Sequence, residues 1–241
     1  MEYNNIPIQD ILFLDIETVP QCAIYDQLTD DMKPLWDKKA MQIRKNEETP
    51  ADIYQQAGIY AEFGRIVCIS VGFIHDINGQ KTFISKSFAD HDEHKLLTDF
   101  KALIDSKYSA PNKYICGHNV KEFDMPYIAR RMVINGLQLP KPLQIAGKKP
   151  WEVLFIDTLE MWKFGDYKAY TSLNLLTHVL GIPTPKDDID GSQVATVYYE
   201  ENDLKRISVY CEKDILATAQ VFLRMTGQPI IDQEHCVMHR E

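Results

Sequence analysis

The chain has 241 residues, of which 45% are hydrophobic and 25% are charged, and these values are ordinary for a soluble globular protein. They exclude a disordered tail, a collagen-like fibre or a disulfide scaffold as the main architecture, and a chain of this length can bury a sizeable core without cross-links. The net charge of −9 argues against a protein that coats duplex nucleic acid through charge alone, but it does not exclude an enzyme that holds metal cations between itself and a phosphate.

The first part of the chain predicts a meander of three strands. The apolar run over residues 11–17 is typical of a strand that is buried on both faces. Residues 21–62 are mixed in charge and predict a helical insertion. Residues 65–75 are rich in β-branched side chains and predict a second strand, which an Asn-Gly turn at 78–79 joins to a third strand over residues 81–88.

Strands and helices then alternate. Asp90 and Glu93 form a capping box that predicts the start of a helix, and apolar residues follow at helical spacing. A short fourth strand ends at Gly117, and Pro126 suits the first turn of the next helix. The segment 137–153 is rich in proline and lysine and predicts a loop.

The last part of the chain predicts one more strand and then mostly helices. The strand covers residues 153–159, and the helices cover residues 172–181 and 203–227. Residues 228–241 are predicted as a solvated C-terminal tail. This order of elements predicts one α/β domain over residues 1–241, in which helices flank a mixed sheet of five to six strands.

The cysteines and the N-terminal residues bear on the cellular compartment. The five cysteines form no C-x-x-C pair, so neither a disulfide framework nor a zinc ribbon is indicated. The N-terminus shows no signal-peptide pattern, and no apolar run approaches the roughly 18 residues that a membrane span needs. We therefore expect a cytoplasmic protein with reduced thiols and no membrane contact.

Asp15 and Glu17 lie two residues apart at the end of the first predicted strand. Side chains at positions i and i+2 of a strand point to the same face of the sheet. Two adjacent carboxylates repel each other and resist burial, and a protein can tolerate them when a divalent cation lies between them. The alternative is that the strand ends at Leu14 and that both acids face water.

Two further acids occupy positions that suit a site. Asp124 lies between the fourth strand and the next helix, which is a common place for ligand sites in α/β sheets, although an aspartate there can also cap the helix. Tyr210 and Asp214 have the i, i+4 spacing that places both on one face of a helix. The alternative for this pair is a Tyr–Asp hydrogen bond or a solvated helix face.

Three motifs follow one another along the chain: FLDIET around residue 15, GHNVKEFD ending at residue 124, and YCEKD over residues 210–214. In this order they resemble the three motifs of the DEDD superfamily of 3′–5′ exonucleases, in its tyrosine variant. They are similar to the motifs of the proofreading exonuclease domain of family-B DNA polymerases. The matching residues are Asp15 and Glu17 in the first motif, Asn119, Phe123 and Asp124 in the second, and Tyr210 and Asp214 in the third.

The resemblance implies a ribonuclease H-like fold and the hydrolysis of phosphodiester bonds with two divalent cations. Carboxylate oxygens are hard ligands that suit Mg²⁺ or Mn²⁺. In this scheme Asp15 bridges the two cations, and Glu17 binds one cation and the terminal sugar hydroxyl. Asp214 binds the cation that activates water, and Asp124 holds the other cation. Tyr210 orients the attacking water, because a phenol with a pKa of about 10 is a poor base at neutral pH.

Candidate substrate contacts surround the second motif. Residues 121–170 carry eight Lys or Arg against six Asp or Glu, so basic charge is concentrated there. Lysines can attract the phosphates of a single strand, and a tryptophan can stack on its bases. The alternatives are a solvated loop with Trp151 packed on the core and, for Asn119, a role in a turn. The candidate contacts are Thr18, Asn119, Phe123, Lys148, Lys149 and Trp151.

Two other groups of polar residues are given structural interpretations. Asp157 is interpreted as a helix cap, or as a group that supports the site, rather than as a fifth metal ligand. His235, Cys236 and His239 offer three zinc ligands, but zinc sites usually need a fourth ligand or a clear catalytic setting, so a solvated tail is favoured.

The sequence thus predicts a metal-dependent 3′–5′ exonuclease that hydrolyses the ends of single-stranded DNA with two Mg²⁺ or Mn²⁺ ions. One alternative is an exoribonuclease of the same fold, because the preference for DNA rests on the resemblance alone. Another alternative is a non-catalytic nucleic-acid-binding protein, although such a protein would not need a costly cluster of carboxylates. The sequence indicates no particular protein partner.

Overall fold

A mixed six-stranded sheet lies at the centre of the computed structural model, which describes residues 2–77, 80–166, 168, 170–183 and 189–239. The strands are β1 (Ile11–Pro20), β2 (Gly64–Ile77), β3 (Gln80–Ala89), β4 (Tyr114–Gly117), β5 (Phe155–Asp157) and β6 (Cys236–His239). Their spatial order is β5-β4-β1-β2-β3-β6. β2 is antiparallel to both of its neighbours, and the other three pairings are parallel. This mixed sheet agrees with the ribonuclease H-like fold that the motifs implied.

Helices cover both faces of the sheet. They are α1 (Met32–Ile43), α2 (Glu93–Leu103), α3 (Asp124–Ile134), α4 (Thr158–Lys163), α5 (Leu173–Val179), α6 (Val194–Thr196) and α7 (Leu204–Met225). α2 and α3 share a core cluster with Leu12 and Leu14 of β1, whereas α7 shares one with Phe13. β1 is therefore buried on both faces, as its apolar run predicted. None of the helices in the described part of the chain is long and apolar enough to cross a bilayer.

β3 has a partner strand on each of its edges. It forms the predicted hairpin with β2, although the predicted turn at 78–79 lies outside the described residues. On its other edge β3 pairs with β6, so part of the segment 228–241 is a strand rather than the predicted solvated tail. The side chain of Gln220 in α7 directs the chain back to the sheet, because it donates to the carbonyl of Ile231 at 2.6 Å and accepts from its N–H at 2.9 Å.

α2 begins differently from the prediction. Asp92, not Asp90, is its N-cap and accepts a hydrogen bond from the backbone of the first turn. The carboxylate of Glu93 points inward, where it accepts hydrogen bonds from Arg131 Nε at 2.9 Å and from the backbone N–H of Ile66 at 2.7 Å. The predicted capping box is therefore wrong, because a buried guanidinium competes successfully for the carboxylate.

Residues 21–62 contain α1 and a small apolar cluster of their own. Trp36 is fully buried in this cluster, and its indole N–H donates to the carbonyl of Pro50 at 2.8 Å. The backbone N–H of Gln21 donates to the carbonyl of Phe63 at 2.9 Å, which closes the insertion where it leaves the sheet. The insertion therefore lies beside the carboxyl end of β1, a few residues beyond the two predicted acids in the middle of that strand.

Candidate active site

Asp15 and Glu17 project from β1 toward α7. They share this face with Phe13, because alternate residues of a strand point the same way. The side chain of Glu17 is buried and that of Asp15 is half-buried. The alternative in which the strand ends at Leu14 is wrong, since β1 continues to Pro20 and its acids lie inside the molecule.

Asp124 is the first residue of α3, and its side chain is buried. Its Oδ1 accepts a hydrogen bond at 3.1 Å from the backbone N–H of Ile16, the residue between the two acids of β1. Burial raises the pKa of Asp124 to about 7, although backbone hydrogen bonds, including the one from Ile16, lower it. The N-cap position of this helix is occupied by Phe123, so Asp124 does not serve as its N-cap.

α7 brings Tyr210 and Asp214 to the acids of β1. Burial raises the pKa of Tyr210, and the nearby carboxylates of Asp214, Glu17 and Asp15 raise it further. A hydrogen bond also joins Tyr210 to Asp214. The Tyr–Asp hydrogen bond named as an alternative is thus present, but it lies within a cluster of carboxylates rather than on a solvated helix face.

The acids of β1 and α3 in this cluster lack basic partners among the residues that the structure describes. Burial raises the pKa of Asp15 and of Glu17 well above their ordinary values. The carboxylates of Asp124 and Asp214 raise the pKa of Asp15 further. Within the described residues, no lysine or arginine forms an ion pair with Asp15, Glu17 or Asp124. Buried, mutually repelling oxygen donors fit a divalent cation, which would supply the missing positive charge.

Cys211 also contacts this cluster, and the sequence analysis did not identify it. Its Sγ lies 3.4 Å from Oδ2 of Asp15 and 3.5 Å from the carbonyl oxygen of the same residue. The potential ligand atoms of Asp15, Glu17 and Cys211 all lie within 4.8 Å of one another. The available signal was the spacing of three residues between Cys211 and Asp214, which places both on similar sides of one helix.

Asp157 fixes the turn that follows β4. Its carboxylate accepts hydrogen bonds from the backbone N–H groups of Asn119 at 2.9 Å and Lys121 at 3.1 Å. It also caps α4 by accepting a hydrogen bond from Leu159 at 2.9 Å, which confirms its interpretation as a helix cap. These bonds hold Asn119 in a left-handed backbone conformation, with φ of 64°, so the role of Asn119 in a turn is also confirmed.

His118 ties the same turn to the segment before α5. Its Nε2 lies 2.9 Å from the carbonyl oxygen of Thr171, and its Nδ1 lies 2.9 Å from Oγ1 of Thr158. Burial lowers the pKa of His118, so the imidazole is neutral at pH 7 and donates from Nε2 to the carbonyl. His118 stands within the motif GHNVKEFD, but it is not one of the residues through which that motif resembles the exonucleases.

Thr18 and Phe123 lie next to the insertion. The hydroxyl of Thr18 forms a hydrogen bond with the hydroxyl of Tyr127, and the rings of Phe123 and Tyr127 have centroids 5.5 Å apart. Tyr127 in turn donates a hydrogen bond to the carbonyl of Gly58 at 2.7 Å. Tyr127 therefore links these two predicted substrate contacts to the segment 21–62.

The structure does not bring Lys148, Lys149 and Trp151 to the carboxylates. Lys148 lines a cavity at the amino ends of β4 and β5, whereas Asp124 follows the carboxyl end of β4. The Nζ of Lys149 lies 5.2 Å from the ring centroid of Trp151, which is 75% exposed. The alternative that Trp151 packs on the core is therefore wrong.

The predicted C-terminal His/Cys group forms no metal site among the residues that the structure describes. Nε2 of His235 lies 3.4 Å from the carboxylate of Glu234. Cys236 begins β6, and the side chain of His239 lies outside the described part of the chain.

Comparison with known proteins assigns the chain to a family. A family model described as a predicted 3′–5′ exonuclease related to the exonuclease domain of PolB matches residues 59–235, roughly three quarters of the chain. The match includes Asp124, Tyr210 and Asp214 but begins after β1. No curated protein matches the chain. The chain therefore belongs to the family of predicted 3′–5′ exonucleases related to the exonuclease domain of PolB.

Proposed function

We propose that this protein, acting as one domain over residues 1–241, is a metal-dependent exonuclease that removes nucleotides from the 3′ ends of single-stranded DNA. One observation carries the proposal. The carboxylates of Glu17 and Asp124 are buried and meet those of the half-buried Asp15 and Asp214, and the described residues offer the acids of β1 and α3 no lysine or arginine as an ion-pair partner. Such a cluster destabilises the fold unless it serves to bind cations.

Four carboxylates would hold two divalent cations, Mg²⁺ or Mn²⁺, in this cluster: those of Asp15, Glu17, Asp124 and Asp214. When bound, the cations would stabilise the charge that develops on the phosphate and lower the pKa of a water molecule. Asp15 would hold the cations together with Asp124 and Asp214, whose carboxylates both raise its pKa.

Tyr210 has a different role from the acids. Burial and the neighbouring carboxylates raise its pKa above the ordinary value, so its hydroxyl stays protonated at neutral pH and cannot act as a base. A protonated phenol can donate one hydrogen bond, and it donates this bond to Asp214. Its oxygen can still accept a hydrogen bond, so we assign it to the orientation of the attacking water.

The terminal nucleotide would lie between the turn after β4 and the carboxyl end of β1. Asn119 and Phe123 occupy that turn, and Thr18 follows Glu17 on the strand. Asp157 and His118 hold the turn in place through hydrogen bonds to backbone and side-chain groups. Lys148, Lys149 and Trp151 remain candidates for contacts with nucleotides farther from the 3′ end. The relation of the family to the exonuclease domain of PolB supports DNA as the substrate in this proposal.

Digestion of a 5′-labelled single-stranded DNA tests this function. We expect a ladder that shortens from the 3′ end with Mg²⁺ or Mn²⁺ and no cleavage in EDTA. A DNA oligonucleotide blocked by a 3′ phosphate distinguishes exonuclease from endonuclease cleavage, because only the latter would ignore the block. Faster digestion of the matched RNA would identify an exoribonuclease instead. Tight binding in EDTA without cleavage under any metal condition would favour the non-catalytic alternative.

A further inference from the structure

A cavity large enough for a ligand lies on the α2 side of the sheet, opposite the face that carries Asp15 and Glu17. It is a cavity of about 550 Å³, which is within the range of sites for small ligands. Its floor consists of apolar side chains from the first three strands and from the end of α2. These include Leu12, Phe73, Ile84 and Leu103. Phe73 and Ile84 are only partly buried, so this part of the sheet is not fully covered by a helix.

The cavity is separate from the carboxylate cluster in two ways. Leu12 points toward the α2 side of the sheet, whereas Asp15 and Glu17 point toward α7. Leu12 also precedes Asp15 by three residues, which corresponds to about 10 Å along a strand. Substitutions in the cavity can therefore be made without changing the candidate active site.

Lysines surround this apolar floor. Lys86, Lys107 and Lys113 line the cavity. A smaller adjoining cavity of about 250 Å³ shares Lys113 and also contains Lys141 and Lys148. Lys113 is paired with an aspartate, but the other four lysines form no ion pair within the described residues. A basic surface on a chain of net charge −9 selects for an anionic partner by charge complementarity.

The lining favours a peptide over a nucleic acid. Sites for single strands stack bases on exposed aromatic rings. In this cavity Tyr108 is 8% exposed and Phe73 is partly buried, so the imidazole of His75 is the one exposed ring among the described lining residues, and the highly exposed Trp151 is not part of the lining. The remaining floor is mostly aliphatic, and it suits the side chain of a leucine or phenylalanine.

We propose that this lysine-rimmed cavity, defined by Leu12, Phe73, Ile84, Lys86 and Lys107, binds an acidic segment of a partner protein. A large apolar side chain of that segment would lie on the floor, and the flanking carboxylates would contact the lysines. The cavity would thereby attach the enzyme to a partner through a surface that the candidate active site does not use.

Fluorescence polarisation with a labelled decapeptide tests the proposal. The probe contains one leucine and one phenylalanine among aspartates and glutamates, and a charge-matched control peptide has serine at both apolar positions. We expect the probe to bind about tenfold more tightly than the control peptide. Lys107→Glu and Ile84→Ser should each weaken binding of the probe by about tenfold. The control is Lys38, an exposed lysine of α1. Lys38→Glu makes the same change in charge and should leave binding unchanged.

Three results would overturn the proposal. The first is equal binding of the probe and the serine control, and the second is equal loss of binding in Lys107→Glu and Lys38→Glu. The third is displacement of the probe by single-stranded DNA in EDTA, with DNA affinity falling in Lys107→Glu, which would assign the surface to nucleic acid. Circular dichroism and thermal unfolding verify that each variant is folded. Because no cleavage is measured, the result is independent of the exonuclease proposal.

Discussion

Two buried groups of charged residues lie on opposite sides of the sheet, and they differ in how their charges are balanced. On the α2–α3 side, Glu93 pairs with Arg131, which also donates a hydrogen bond to the carbonyl of Ala61 at 2.8 Å. On the α7 side, Asp15 and Glu17 face further carboxylates. A buried pair whose groups are all satisfied joins structural elements, whereas a buried group of like charges indicates a ligand.

The strongest test of this difference between the two groups is the removal of Asp15 from the carboxylate cluster. We expect Asp15→Ala to slow single-turnover cleavage of single-stranded DNA by about 10³-fold or more, because the cations would lose a carboxylate ligand. Glu47→Ala, which removes an exposed acid from the insertion, serves as the control and should keep the wild-type rate. A wild-type rate in Asp15→Ala would refute the assignment of the metal ligands.

Removing one member of the buried Glu93–Arg131 pair should lower the stability of the protein and leave catalysis unchanged. Glu93→Ala leaves the guanidinium of Arg131 buried without its counter-charge, so the free energy of unfolding should fall by about 3–5 kcal/mol. Urea denaturation measures this change. Asp99→Ala removes an exposed acid of the same helix and should have little effect. If both variants lost the same stability, the buried pair would have no special structural role.

Tyr210→Phe tests the role of the hydroxyl without disturbing the packing of the ring. We expect cleavage to slow by about 100-fold and to remain measurable, because one hydrogen-bonding group is lost while all four carboxylates stay. The pH dependence of the rate should keep its shape, since the raised pKa of Tyr210 keeps the hydroxyl protonated near neutral pH. Loss of the basic limb of the wild-type pH profile in this variant would indicate that Tyr210 acts as a base.

The smallest expected effect is a pH dependence of stability in the metal-free protein. Asp124 has a pKa raised from 3.8 to about 7, and those of Asp15 and Glu17 are raised as well. A carboxyl group with a raised pKa in the folded state contributes stability below its unfolded pKa and loses it as the pH rises through the folded value. The free energy of unfolding should therefore fall by about 1 kcal/mol or more between pH 5 and 8.

Added Mg²⁺ should remove most of this pH dependence, because a bound cation stabilises the ionised carboxylates. Asp15→Asn should reduce the dependence in the metal-free protein and raise stability at pH 8, where Glu93→Ala lowers it. Urea denaturation at each pH measures both effects. A wild-type protein that was equally stable at pH 5 and 8 without metal would show that the acids are less strongly coupled than the structure indicates.

Several features were predictable because their causes are local. The apolar run of β1 predicted a strand buried on both faces, and the i, i+2 spacing predicted that Asp15 and Glu17 share a face. The i, i+4 spacing likewise placed Tyr210 and Asp214 together on α7. Asp157 follows an apolar run and begins a helix, so its capping role was also visible in the sequence.

Other features depended on partners that are distant in the chain. Glu93 has the spacing of a capping box, but Arg131, 38 residues later, binds its carboxylate. β6 has no strong pattern of its own and forms because the edge of β3 is available to it. The contact between Cys211 and Asp15 spans 196 residues, so the local spacing of Cys211 and Asp214 could indicate a shared side of the helix but not the contact with Asp15.

The sequence by itself therefore determined the type of most main elements and the order of the motifs. It also determined that Asp15 and Glu17 share one face of their strand and that Tyr210 and Asp214 share one face of their helix. Tertiary structure alone decided which buried charges have an opposite charge beside them and which groups surround the acids. It also decided where the lysine-rich segment 137–153 lies relative to those acids. The physical reason is that the side chains of a strand or helix repeat at a fixed spacing, which can be read from residues close together in the chain. The energy of a buried charge depends on every group packed around it, whatever its position in the chain.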